Sequence, residues 1–256
     1  MVQSTEADVL RADHALVAAL AAGDRDAAAA LLDDHFNWID SAGRVRGKRG
    51  GLPSAPLGDE SGLLPAVRLY GNVATVAVDQ DNLFVLRIWV RHSGLWRALV
   101  LHEVSQKNPA VPHGPGRKDW DNPCRTIPYV PRNVDERDCL ASWQALETAV
   151  MTHDPDEWAR HVADEFLVVG AARRHSKADR KAVLVEQQRT NANSAPAPLT
   201  WAELFDFPDA IVMRGEHQPF HGRANRVSRV FVKREGQWLM AVSFQTTRQD
   251  ADAKTI

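Results

Sequence analysis

The chain has 256 residues, of which 44% are hydrophobic and 25% are charged, and a length prior of about 150 residues per domain predicts one or two domains. This composition is close to the globular average, which excludes a disordered chain, a collagen-like chain and a disulfide-dense mini-protein. The 31 Lys and Arg nearly balance the 33 Asp and Glu, so no overall field would draw the molecule onto nucleic acid or an anionic membrane.

The expected compartment is the cytoplasm. No apolar run approaches the ~18–20 residues that span a bilayer, and the first ten residues are too polar and acidic for a signal peptide. Cys124 and Cys139 are too few for a disulfide framework or a four-thiolate zinc site. We expect both to be free thiols, with a single bridge or a weakly supported Cys nucleophile as the alternatives.

The first half begins with two helical patterns. Apolar residues recur near the helical period from Val9 to Leu20, and Gly23 ends the pattern. Asp24 then caps a second helix, predicted over DRDAAAALLDDHF, and a strand follows over HFNWID. An eroded third helix, KRGGLPSAPLGDES, precedes four long strands: AVRLYGN, VATVAVDQ, NLFVLRIWVRH and LWRALVLHEVSQ.

A proline-rich connector follows at 108–133. Six prolines fall within it, and proline fits neither a helix interior nor a central strand. Trp120, Ile127 and Tyr129 are unusual in a free linker, which predicts an extended segment packed on a domain surface. The predicted boundaries are therefore domain 1 at 1–107, the connector at 108–133 and domain 2 at 134–256.

The second half repeats the first. A shift of 130 residues aligns 13–40 with 143–170, and a shift of 142 places Trp96 on Trp238 near the two ends. The predicted helices are VDERDCLASWQALETAVMTH, DPDEWARHVADEF and KADRKAVLVEQQRTN. The strands are EFLVVG, LTWAELFDFPD, AIVMRGEH, RVSRVFVKREG and WLMAVSFQTT. Helices followed by an antiparallel meander predict an α+β fold that is used twice.

The segment VAALAAGDRDAAAALLDDHFNWIDSAGRVRG and the ending REGQW resemble NTF2-like, SnoaL-like proteins, the DUF4440-type superfamily that includes ketosteroid isomerase. The resemblance covers residues 5–107 and 134–249. It implies two tandem cones, each with about three N-terminal helices packed on a curved antiparallel sheet and a pocket at its open end. Members include isomerases, cyclases, dehydratases, epoxide hydrolases and non-catalytic binding domains, so the fold does not decide the function.

Asp40 and His102 are the candidate catalytic residues. Strand alternation places Asp40 on the face of Phe36 and Trp38, where a carboxylate beside an indole would have a raised pKa. The resemblance implies that Asp40 matches the catalytic base of the isomerase. The isomerase also has a tyrosine and an aspartic acid in its oxyanion hole, and these positions are occupied here by Leu16 and by Leu86 or Arg87. The alternatives are a turn role for Asp40 and a structural role for His102.

The remaining candidates line the two expected pockets. The predicted substrate-binding residues are aromatic side chains and one carboxylate on the strand faces that would point inward: Phe36, Trp38, Trp96, Phe166, Trp201 and Glu203. In the second half Gly170 replaces Asp40. The spacing of Glu216, His217 and His221 would suit a metal only on a helix, and Pro219 and Gly222 predict a hairpin there instead. No metal or other cofactor is expected.

The partner expectation rests on two matching strands. Arg87, Trp89 and Arg91 align with Arg229, Phe231 and Lys233, and they are predicted to face outward and to anchor an internal pseudo-dimer of the two halves. A further homo-oligomer is an open alternative. We expect acid–base chemistry on a small apolar molecule in the domain 1 pocket, by an isomerase, cyclase, dehydratase or epoxide hydrolase. The alternative is a non-catalytic ligand-binding or dimerisation module, and neither nucleic acid nor a membrane is an expected partner.

Overall fold

A computed structural model describes residues 5–48, 63–80, 82–107, 121–171, 173–220 and 222–249. The chain divides into two compact units. The first unit contains residues 1–107 and 207–209, and the second contains 108–206 and 210–256. Among the described residues, no helix is both long enough and apolar enough to cross a membrane.

The first unit opens with two helices and continues as strands. A capping box formed by Thr5 and Asp8 starts the first helix, and Gly23, at φ 69°, ends it. The elements in chain order are α1 (Glu6–Ala22), α2 (Arg25–Ala30), β1 (Leu32–Ile39), β2 (Val45–Gly47), β3 (Ala66–Tyr70), β4 (Val73–Gln80), β5 (Leu83–His92) and β6 (Leu95–Ser105). The eroded third helix predicted over 48–61 lies outside the described residues except for Lys48.

The second unit has the same order of elements with a complete third helix. Ser176 and Asp179 form its capping box, and Pro155 occupies the first turn of the short helix before it. The elements are α3 (Val134–Thr152), α4 (Pro155–Arg160), β7 (Val162–Gly170), β8 (Arg173–Ser176), α5 (Lys177–Arg189), β9 (Leu199–Phe207), β10 (Ala210–His217), β11 (Asn225–Arg234) and β12 (Gln237–Thr247).

Both sheets are curved, six-stranded in the described part of the chain, and identical in strand order. The orders are β2-β1-β6-β5-β4-β3 and β8-β7-β12-β11-β10-β9. The prediction of tandem α+β cones is confirmed, with one difference: the sheets are mixed, because β1 runs parallel to β6 and β7 runs parallel to β12. The short edge strands β2 and β8 were not predicted, since three or four residues carry no readable alternation.

The short second helices end earlier than the sequence pattern predicts. Helix α2 was expected to reach Phe36 but ends at Ala30, and β1 begins two residues later. The Ala98 N–H donates to the Leu31 carbonyl, so pairing with β6 draws this segment into the sheet. The Met240 N–H donates to the His161 carbonyl in the same way. Sheet pairing therefore overrides the helical propensity of these segments.

Each unit has its own apolar core between helices and sheet. The first core contains Leu16, Trp38 and Trp89, and the second contains Trp143, Trp158 and Phe231. The described end of the proline-rich segment joins the second core: Cys124 is fully buried there and Ile127 and Tyr129 pack against it. Trp120 lies outside the described residues. Cys124 and Cys139 are both free and buried, and burial raises the pKa of each thiol.

Candidate ligand site in the second unit

In the first unit, Asp40 closes the turn between β1 and β2. Its Oδ1 accepts hydrogen bonds from the backbone N–H groups of Ala42 and Arg44, each at 3.0 Å. Its Oδ2 accepts from Arg44 Nε at 2.8 Å. The Asp40 carbonyl also accepts from the Gly43 N–H at 2.8 Å. These contacts occupy both carboxylate oxygens with groups of the turn itself.

His102 and Glu103 lie on β6 beside this turn. His102 is fully buried, and burial lowers its pKa to about 3, so the imidazole is neutral at pH 7. Glu103 was not a sequence candidate. It accepts from Trp38 Nε1 at 3.0 Å and from the Ser41 N–H at 3.2 Å, while burial raises its pKa. Trp38 thus sits in the core with its indole N–H held by a carboxylate.

A buried ion pair fills the centre of the first unit. Arg87 on β5 donates to Asp13 on α1 through Nε at 2.7 Å and Nη2 at 2.9 Å. Trp89 Nε1 donates to the same carboxylate at 2.9 Å. The prediction that Arg87 and Trp89 face outward was wrong, because the helix supplies a buried counter-charge that satisfies the arginine inside the core. Alternation defines two faces of a strand without telling which one is inside.

The second unit keeps the arginine and loses its carboxylate. By the repeat alignment, Arg229 corresponds to Arg87, while Trp143 stands at the position of Asp13. Arg229 is buried, and its guanidinium carbon lies 5.8 Å from the centre of the Trp143 ring. The nearest carboxylate in the described part of the chain is Glu147, whose Oε1 is 3.7 Å from Arg229 Nη2. Burial raises the pKa of Glu147, and the charge of Arg229 lowers it in part.

His217 holds Arg229 from the other side. The Ala197 carbonyl accepts from His217 Nδ1 at 2.8 Å, which leaves Nε2 as the acceptor for Arg229 Nη2 at 2.8 Å. Burial, followed by the charge of Arg229, lowers the pKa of His217 to about 3. His217 is therefore a neutral positioning group with both ring nitrogens in use.

These side chains line a cavity of about 370 Å³ that lies wholly within the second unit. Its apolar wall includes Trp158, Phe166 and Met240, and the rings of Trp158 and Phe166 meet edge to face at 5.4 Å. Its polar lining includes Ser243 and Gln245 on β12. Polar and apolar side chains thus share the lining in similar measure, and convergent polar groups of this kind orient the ligand in small-molecule sites.

Two further arginines line the cavity from β8 and α5. The side chain and backbone of Arg173, taken together, are exposed. Its Nη2 donates to Gln245 Oε1 at 3.1 Å. Arg180 is half-buried; burial, and then the positive charge of Arg173, lower its pKa. Among the side chains that the structure describes, the cavity therefore combines three guanidinium groups with the carboxyl group of Glu147.

The sequence-predicted binding residues lie in three different places. Phe36, Trp38 and Trp96 belong to the first core, and Phe166 lines the cavity. Trp201 is 41% exposed, and Glu203 pairs with Arg214 on the neighbouring strand; neither lines the cavity. Sequence reasoning missed the three arginines, although the loss of Asp13 and Asp40 in the second repeat was a readable signal. His221 lies outside the described residues.

No protein-family model and no curated protein match the chain. Among solved structures, it is similar to an NTF2-like protein with a cystatin-like fold from Novosphingobium aromaticivorans, at 13% identity, TM-score 0.39, 46% of this chain and 85% of the other. It is also similar to ActVI-ORFA from Streptomyces coelicolor, at 16% identity, TM-score 0.39, 46% of this chain and all of the other. A cystatin-like-fold protein of unknown function from Nostoc punctiforme shares 11% identity, with TM-score 0.38, 48% of this chain and 96% of the other.

Identities this low concern the fold alone. The architecture of the chain is seen in its own elements: each unit begins with helices and closes with a six-stranded mixed sheet of the same order. The chain is therefore a tandem pair of α+β units with the same sheet topology.

Proposed function

We propose that the chain is a small-molecule-binding protein and that the ligand occupies the cavity of the second unit. The observation that carries this proposal is the cavity itself. Its 370 Å³ falls within the roughly 300–1,000 Å³ of typical ligand pockets. NTF2-like folds often bind small ligands or oligomerise, and of the two roles the cavity favours ligand binding.

The polar groups of the cavity are held in place by their own partners. His217 is fixed between the Ala197 carbonyl and Arg229, and the Ser194 hydroxyl lies 3.0 Å from His153 Nε2. Side chains that are already fixed lose little conformational freedom when a ligand binds. This preorganisation supports a ligand site.

A thermal-shift screen of small organic molecules tests the proposal with two valine variants of α5. Val183 lines the cavity, whereas Val185 lies on the same helix and is 47% exposed. We expect hits to raise the Tm of the wild type and of Val185→Trp, and to have no effect on Val183→Trp, whose indole would fill the cavity. Hits that stabilise all three proteins equally would place the ligand elsewhere.

Acid–base chemistry is the second candidate function, and Glu147 is the group that favours it. A carboxyl group with a raised pKa inside a cavity is suited to proton transfer near neutral pH. If Glu147 acts in this way, Glu147→Gln retains ligand binding but no longer converts a bound molecule, as followed by NMR. Retained conversion in that variant excludes this role. Asp40 and His102 stay sequence predictions, with Asp40→Asn as the corresponding test.

The internal pseudo-dimer also stays a proposal, and it rests on the sequence repeat. The arginine face of β5 meets the helix, so the pairing face would carry Leu86, Ile88 and Val90. A paired chain of this length has an expected radius of gyration of about 18 Å by small-angle scattering. A clearly larger radius would indicate two units that tumble independently. Light scattering on the same sample reports whether the chain forms a homo-oligomer.

A further inference from the structure

We infer that the ligand of the second unit carries a carboxylate, which the guanidinium groups of Arg173 and Arg180 bind, while the apolar wall receives the rest of the molecule. This inference rests on the proposed function and names the chemical class of the ligand.

The lining of the cavity carries an excess of positive charge. In the described part of the chain, three arginines and one carboxyl group line it, and Glu147 Oε1 lies 3.7 Å from Arg229 Nη2. Among the described residues, no carboxylate lies within ion-pair distance of Arg173 or Arg180. The guanidinium groups of Arg173 and Arg180 therefore lie beside the cavity without a carboxylate of the described residues in direct contact, and Glu147 acts on Arg180 through its charge alone.

In the first unit, the equivalent of Arg173 has a carboxylate partner. The pairing of β1 with β2 and of β7 with β8 makes Arg44 the counterpart of Arg173, and Asp40 the counterpart of Gly170. Arg44 donates to Asp40 at 2.8 Å. In the second unit the glycine has no carboxylate to offer, so Arg173 is available to a ligand.

Gly170 also provides the space for this arginine. A Cβ built on Gly170 would lie 2.9 Å from Arg173 Nε and 3.5 Å from Nη2. The guanidinium group thus lies directly against the glycine. The Nη2 of Arg173 donates to Gln245 Oε1, which fixes the orientation of the guanidinium group. Glycine at position 170, in place of the aspartate of the first unit, therefore both removes the carboxylate and leaves room for the guanidinium group of Arg173.

The geometry of the groups selects the ligand class. A guanidinium group is planar and presents paired N–H donors that match the two oxygens of a carboxylate. Arg173 and Arg180 are close enough for the charge of the first to lower the pKa of the second, so an anion between them relieves their repulsion. The wall of Trp158 and Phe166 suits an apolar body. A carboxylic acid with a compact apolar body satisfies both features.

Isothermal titration with phenylacetate, phenylacetamide and inorganic phosphate tests the inference at constant ionic strength. The amide has the shape of phenylacetate without its charge, and phosphate has charge without an apolar body. We expect phenylacetate to bind the wild type at least tenfold more tightly than either of the other two probes. Equal binding of the amide would overturn the inference and leave the proposed cavity site intact. Tighter binding of phosphate would also overturn it and would indicate a phosphorylated ligand.

Variants of the glycine and of the arginines locate the anion. Gly170→Asp returns the carboxylate that Asp40 provides in the first unit, and Gly170→Asn is its neutral match in size. We expect Gly170→Asp to weaken phenylacetate binding at least tenfold more than Gly170→Asn does. Arg180→Gln is expected to weaken it at least tenfold, whereas Arg174→Gln, outside the cavity, leaves it unchanged. Equal affinities in all four variants, or no binding of phenylacetate to the wild type, would overturn the inference.

Discussion

The two units share one fold, but two corresponding arginines have carboxylate partners in the first unit and lack them in the second. In the first unit, Arg87 is paired with Asp13 inside the core, and Arg44 is paired with Asp40 in a turn. In the second unit both arginines are kept as Arg229 and Arg173, while Trp143 and Gly170 replace the two carboxylates. The arginines of the first unit are structural, whereas those of the second unit line a cavity.

This difference shows that a ligand site can form where an arginine lacks its carboxylate partner. A buried arginine with a bidentate carboxylate is fully satisfied and has little to offer a ligand. When the carboxylate is replaced, the cation needs another neutralising group. In the second unit His217 accepts a hydrogen bond from Arg229 and Glu147 is the carboxyl group beside it, while Arg173 and Arg180 add positive charge to the cavity lining.

Removal of the first unit's core carboxylate should have the largest effect. Asp13→Ala leaves Arg87 buried without its bidentate partner, so we expect the free energy of unfolding to fall by about 3–5 kcal/mol. Urea unfolding measures this value, with Asp26→Ala, an exposed carboxylate on α2, as the control. A loss below about 1 kcal/mol for Asp13→Ala would mean that the pair is dispensable and that the two units do not differ in this way.

The acid sensitivity of the first unit should depend on His102, whose counterpart in the second unit is Phe244. The pKa of His102 falls from 6.5 to about 3 on folding, so the unfolded chain binds the proton first as pH falls below 6.5. Stability is therefore present above pH 6.5 and is lost as pH falls towards 3. Between pH 7 and pH 5 this loss is about 2 kcal/mol.

His102→Phe should remove that part of the pH dependence. Urea unfolding at pH 7 and pH 5 compares the variant with the wild type, and His14→Gln, at an exposed position of α1, is the control. The same loss of stability in wild type and His102→Phe would show that His102 does not carry this effect.

Removal of the helix cap should lower the free energy of unfolding by a similar amount in each unit. Thr5 and Ser176 each accept a hydrogen bond from the backbone N–H three residues later, Asp8 and Asp179 respectively. Replacing either cap by alanine is expected to lower the free energy of unfolding by about 1 kcal/mol. Thermal unfolding of Thr5→Ala and Ser176→Ala measures both losses. Losses that differ by more than about 1 kcal/mol would show that one helix is held by its packing rather than by its cap.

The smallest effect is expected at a lysine that both units share. Lys48 Nζ donates to the Leu32 carbonyl and to Asp34, and Lys177 Nζ donates to the Val162 carbonyl and to Asp164. Because both aspartates are largely exposed, Lys48→Met and Lys177→Met should each cost less than about 1 kcal/mol, by the same urea measurement. A marked loss in one unit alone would break the equivalence of the two contacts.

Local signals predicted most of the fold. The glycine at 23, the cap at Asp24 and the alternating strands are properties of a few neighbouring residues, and the structure confirms them. The early end of α2 depends on pairing with β6, which lies far along the chain. The inward face of Arg87 likewise depends on Asp13, 74 residues away, so alternation alone gave the wrong face.

The cavity could not be predicted for a related reason. Its lining comes from separate elements that the tertiary fold brings together, and its charge depends on carboxylates that are absent from the second repeat. The sequence contained the replacements at Trp143 and Gly170. Their consequence depends on the tertiary fold, which places Arg229 and Arg173 beside one cavity.

The stoichiometry of phenylacetate binding tests the central claim most directly. If the paired carboxylates neutralise the arginines of the first unit and the second unit lacks them, calorimetric titration of the wild type gives one site per chain. The same titration of Gly170→Asp then shows that site strongly weakened. Two equivalent sites per chain, or one site that Gly170→Asp leaves unchanged, would contradict the account.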